Sequence, residues 1–211
     1  MIKFYWKTEY SVAVIIIFAI ILSMVPMSFY SKEANFISDW NNAYNKIYYM
    51  FTAMSAQAES DIVKNLKNAD ANEEKEKQMI KLVKPNLRLS YDKKKLKKYQ
   101  VHYMNGNLVK KKDFYYFKNI YISENNKIVG IKDIKGKEKS SPEFMIMLDM
   151  NGDKGPNIWG RDIFGLDIYI DGEIKALGHD WSIEKMKKDC SKEGSGISCS
   201  YFYRIGGRFN E

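Results

Sequence analysis

Asp149, Asn151 and Asp153 alternate through Leu148-Asp149-Met150-Asn151-Gly152-Asp153, setting three short oxygen-bearing side chains at every second position beside a glycine. The first ligands of a calcium loop have this spacing, because short oxygen side chains and a nearby glycine let the backbone wrap a hard cation. An EF-hand needs a bidentate Glu at the twelfth position, where this chain has Gly160. Asp162 is the residue that could close the site instead, with a backbone carbonyl near Gly155. The same residues equally describe a turn in which Asp and Asn side chains hydrogen-bond their own backbone. Both readings stand, and calcium is the single cofactor the residues bring forward. Trp159 and Phe164, close by, read as core plugs.

Cys190 and Cys199 flank a segment containing Gly194 and Gly196. In an oxidising compartment a pair so spaced forms a disulfide stapling the last hairpin or loop; otherwise both remain free thiols. A zinc site would leave coordination unfilled, since no His lies near them. Catalysis has little to work with. His102 and His179 are the chain's two histidines, and neither sits in a nucleophile elbow, a phosphate loop or a metal-binding histidine pair. Glu59, Glu73, Glu74 and Glu76 read as solubilising charges on helix surfaces. The expectation is a protein that is not an enzyme. The net charge of +8, densest at Lys93 to Lys98 and Lys110 to Lys112, comes with no recognition motif, so a solvated lysine-rich surface is expected and nucleic acid is not a partner.

The elements that must position these residues begin with Tyr10 to Phe29, twenty residues without a charge, headed by Glu9 and interrupted by Pro26. As a helix this run is about 30 Å long, the thickness of a bilayer's hydrocarbon core. It exceeds the apolar part of a secretory signal, and no small-x-small site follows it. The expected division is a leader-like cytoplasmic segment at 1–9, a transmembrane helix at 10–29, a helical spine and second helix at 30–84, and a β-rich head at 85–211. Lys3 and Lys7 ahead of the run place the N-terminus in the cytoplasm and the rest beyond a single-pass inner-membrane anchor. Phe36, Trp40, Tyr44, Ile47, Phe51, Met54, Ala58, Ile62 and Leu66 continue at steps of three or four, as one amphipathic spine. A second helix is expected over Asp70 to Lys84, ending at Pro85. Beyond it, strands are expected at Tyr99–Met104, Phe114–Ser123, Ile128–Ile134, Glu143–Asp149, Leu166–Ile170 and Cys199–Ile205. The fold class is α+β, a long N-terminal transmembrane-plus-spine helix packed on a small antiparallel sheet.

The residues resemble the type IV pilin-like proteins, which include pilins, minor pilins and the pseudopilins of type II secretion. Counting back from Glu9 as the family's fifth mature residue makes Tyr5 the first, aromatic as in the family, and Pro26 the twenty-second. Phe4 departs from the family, whose prepilin peptidase cuts after Gly, and Trp6, Lys7 and Thr8 replace its small-hydrophobic pair. A second likeness covers Leu148 to Phe164: Asp-x-Asn-Gly-x-Lys-Gly-Pro-Asn, then Gly-x-Asp-x-Phe, ahead of a strand and a C-terminal cysteine pair. The resemblance implies a structural subunit assembling through its N-terminal helix into a surface or periplasm-spanning filament. Its partners would be other pilin-like subunits, the inner membrane and prepilin peptidase, with Glu9 neutralising a neighbour's N-terminal amine. The rival expectation is an anchored binding or adhesion module that never polymerises.

Overall fold

The computed structural model describes residues 8–58, 72–134, 141–169 and 171–208. Asn, Gly and Ser turns cut the middle of the chain into short apolar runs, and five of these pair as one antiparallel sheet: β1 (Asn119–Ile122), β2 (Ile128–Asp133), β3 (Phe144–Asp149), β4 (Ile163–Ile168) and β5 (Ile174–Ala176). Their order in space is their order in the chain. Because side chains alternate along a strand, pairing sorts them into rows. Val129, Leu148 and Phe164 form one row across the sheet, and Ile131, Ile146, Leu166 and Ala176 a parallel one on the same face. Gly130, Met147 and Gly165 form a row on the opposite face. Every residue of β3 and β4 is buried, so both faces are covered.

The first face is covered by helices. α1 (Thr8–Ala58) contributes Trp40, Tyr44, Ile47 and Phe51, and α2 (Asn72–Leu87) contributes Met79 and Val83. Steps of three and four keep these side chains on one side of each helix. The Trp40 ring stacks on Phe164 with centroids 5.3 Å apart, and its indole N–H donates to the Ser200 carbonyl at 2.8 Å. Arg204 lies over the Tyr44 ring, 3.5 Å from its centroid, so the C-terminal end of the chain clamps α1 from outside. α3 (Lys93–Leu96), α4 (Ile183–Asp189) and α5 (Cys199–Phe202) are short. Met186 and Phe202 join the first face, whereas Leu96 packs on the second with Val109, Phe117, Trp159, Leu177 and Ile197. The glycine row makes that second layer fit. A Cβ on Gly130 would lie 2.8 Å from the Phe117 ring, and one on Gly165 would lie 2.5 Å from Leu177.

The expected architecture needs correction. Among the described residues no helix is long and apolar enough to cross a membrane, so the transmembrane-plus-spine helix laid on the sheet is not the fold, and the single-pass inner-membrane placement goes with it. The physical reason lies in the half of α1 that meets the sheet. It seats four buried side chains between Trp40 and Phe51 and carries exposed Asp39, Asn42 and Lys46 on its outer side, the pattern of an amphipathic cover helix. α1 is described as far as Ala58, and Ile62 and Leu66, expected to continue the stripe, lie outside the described residues. The second helix runs past Pro85 to Leu87. Tyr99–Met104 is not a strand. It makes isolated bridges at His102, with Leu108 on one side and Ile158 on the other. Cys199–Ile205 is not one either, because residues 199–202 coil into α5.

Candidate functional site

Asp149 ends β3 and Asp162 immediately precedes β4, so the connection between them begins and finishes on a carboxylate, both fully buried. Asp149 Oδ1 accepts from the Asn151 and Gly152 N–H groups at 3.1 and 2.9 Å, and its Oδ2 accepts from the Tyr99 hydroxyl at 2.7 Å. Asp162 accepts from the Asn157 and Ile158 N–H groups at 2.9 and 2.6 Å. The Asn151 amide donates to the Gly155 carbonyl at 2.8 Å. The whole loop is thereby wound on its own side chains. Gly152 has φ +71°, and a Cβ there would lie 2.1 Å from the Asn126 carbonyl oxygen, so the loop presses on the β1–β2 turn where only glycine fits. Burial pushes both carboxyls above their ordinary range. For Asp149 the nearby Asp162 charge adds to the rise, while its hydrogen bonds oppose it. The Tyr99 hydroxyl is likewise driven well up by burial, then by Asp149.

Of the four candidate ligands the fold gathers Asp149, Asn151 and Asp162, while Asp153 is exposed. Each oxygen of the two buried carboxylates already accepts an N–H or O–H. A hard cation, which takes six to eight oxygens, would have to draw on their remaining lone pairs and on carbonyls such as that of Gly155. Among the described residues no three or more His, Cys, Asp or Glu side chains are grouped to hold a metal.

The Cys190–Cys199 disulfide is formed, with Cα atoms 5.4 Å apart and both residues fully buried. Its loop packs directly on the Asp loop. A Cβ on Gly196 would lie 2.1 Å from the Trp159 carbonyl oxygen, and one on Gly160 would lie 2.7 Å from Cys199 Sγ. Asp189, which the sequence reading passed over, organises this loop. Its carboxylate accepts from the N–H and hydroxyl of Ser195 at 2.8 and 2.6 Å, and from the N–H and hydroxyl of Ser198, both at 2.9 Å. The signal was present as an Asp directly before Cys190 with serines six and nine positions on. Removing the carboxylate in Asp189→Ala strands two backbone N–H groups, and we expect a loss of about 2–4 kcal/mol in urea unfolding with the disulfide intact. Asp189→Asn, which keeps one acceptor oxygen, should lose less; equal stability of all three proteins would contradict this role.

No family model matches this chain, and it matches no curated protein and no solved structure. Geometry therefore has to speak alone. Among the remaining assembly candidates, Glu9 and Pro26 fall within α1, but their side chains, like the whole of Tyr5, lie outside the described residues. His102 serves through its backbone, accepting from Trp159 N–H and donating to the Asn157 carbonyl, each at 2.9 Å. The His179 ring stands edge-on to Tyr169 and Tyr201, with Nε2 3.2 Å from the Tyr169 hydroxyl. Asp167, also missed, is a buried carboxyl on β4 whose Oδ1 has no partner among the described residues. Burial, then the Asp180 charge, pushes it up to about 7. It shares the face of Ile163 and Gly165, a parity legible in Ile-Phe-Gly-Leu-Asp-Ile.

Proposed function

We propose that this chain is a non-catalytic structural subunit that assembles with copies of itself through the N-terminal part of α1, leaving the sheet-bearing head outward. One observation carries the reading. Val14, Ile15, Ile16, Ile17 and Phe18 are consecutive in the helix and 52–67% exposed. Successive residues turn by about 100°, so five in a row clothe the helix on every side. A single flat partner cannot cover such a belt; several parallel helices can. The spacing of Glu9 and Pro26, shared with type IV pilin-like proteins, supports the same mode, with Glu9 setting the axial step against a neighbour's N-terminal amine.

Sedimentation and electron microscopy of the full chain provide the test. Multimers or filaments are expected for the parent. Ile15→Gln with Ile17→Gln should return it to monomer at unchanged head melting temperature, and Glu9→Ala should abolish ordered assembly while the helix persists. A parent that stays monomeric would overturn the proposal in favour of a binding module that does not polymerise.

A further inference from the structure

On the second face of the sheet, between α3, the 99–111 segment and the edge strand β1, lies an open cleft of about 520 Å³, within the range of ligand-binding sites. Its walls carry rings, Tyr91, Tyr115 and Tyr116, over a floor that includes Phe117 and Met147. Tyr91 is 65% exposed, so its ring is available to a ligand. Lys97, Lys110, Lys111 and Lys118 stand around this apolar lining, all exposed, and no Asp or Glu lines the cleft. None of the four lysines is in an ion pair among the described residues. Four ammonium groups beside one exposed and two half-buried tyrosine rings are a binding arrangement that the folding of the head does not use.

We propose that this cleft binds an acidic oligosaccharide, one whose sugar rings carry carboxylate or sulfate groups. The apolar face of a pyranose ring lies flat on the exposed Tyr91 ring, and the Tyr91 hydroxyl with Gln100 meets the sugar hydroxyls. The lysines meet the acidic groups as point charges on flexible stems. The cleft's own lining holds no carboxylate, so its local field is positive, while Glu76, Asp113 and Asp133 lie with Lys111 and Lys118 along an adjoining depression. Arginine, the residue suited to stacking on bases and to bidentate phosphate contacts, is missing from the lining, which favours the sugar over a nucleic-acid strand. The inference concerns the head and does not rest on assembly through α1.

Titration of the full chain with a heparin-derived hexasaccharide, followed calorimetrically, tests it. Binding that weakens steeply with salt is expected, with no binding of a neutral maltohexaose. Lys110→Glu with Lys111→Glu, and separately Tyr91→Ala, should each weaken binding at least tenfold at unchanged melting temperature, since all three side chains are exposed. The proposal is overturned if the parent does not bind, if both variants bind as the parent does, or if oligo-dT or polyglutamate binds as tightly.

Discussion

Trp40→Ala should cost about 3–5 kcal/mol in equilibrium unfolding, a large part of the roughly 5–15 kcal/mol that holds a domain together. The indole is fully buried, stacked on Phe164 and edge-on to Tyr44 at 5.7 Å. Its truncation leaves a cavity between helix and sheet and deprives the Ser200 carbonyl of its N–H. Ser200 matters twice, because its hydroxyl accepts from the Gly165 N–H at 2.9 Å and so ties the C-terminal segment to the middle of β4. Trp40→Phe separates the two contributions: it keeps most of the packing and removes the hydrogen bond, and should lose about 1–3 kcal/mol. A loss below 1 kcal/mol for Trp40→Ala would mean that α1 contributes little to the head's stability.

Asp167→Asn should flatten the pH dependence of stability and leave the variant more stable than the parent above pH 8. The folded state holds the Asp167 proton up to about pH 7, whereas the unfolded chain releases it near 3.8. Between those values the native state binds more protons, so stability is greatest at low pH and falls as pH rises. The gap, at about 1.4 kcal/mol per pH unit, sets a ceiling of about 4 kcal/mol. Asp149 and Asp162 are raised too and act in the same direction, so the parent's total slope is not the measure. The difference between parent and Asp167→Asn across pH 5 to 9 is. A parent whose stability rises over that interval, with the variant following it, would refute the assignment.

What could be read in advance depended on whether the signal was local. Phe144, Ile146 and Leu148 alternate, and they line one face of β3; Ile128–Asp133 likewise pairs where its apolar run predicts. The spacing of Trp40, Tyr44, Ile47 and Phe51 marks buried positions. It does not carry the extent or setting of the helix, which the expectation of a membrane-spanning spine drew from the run ahead of it. β4 begins at Ile163, three residues early, because Gly165 weakens the apparent strand yet is required beneath Leu177 and Trp159. Cys199–Ile205 has the composition of a strand, but Ser198 and Ser200 are bound to Asp189 and Gly165, contacts between distant segments that override local propensity. At the Asp loop the residues were legible while their bonding was not: Tyr99, fifty positions away, is visible only once the fold is known.

The sheet's chain-order topology has a consequence for synthesis. Each strand pairs with the next to emerge, so β1 to β5 can zip with short loop closures as the chain lengthens. The Trp40 bond is the opposite case, since Ser200 lies 160 positions downstream. During translation the stripe of α1 therefore waits for the sheet to form before its rings are covered, and its Trp40 hydrogen bond and Arg204 clamp wait longer still, until residues 200–204 have left the ribosome. Through that interval the nascent chain is open to premature association, and a factor that shelters its first sixty or so residues would raise the yield of folded protein.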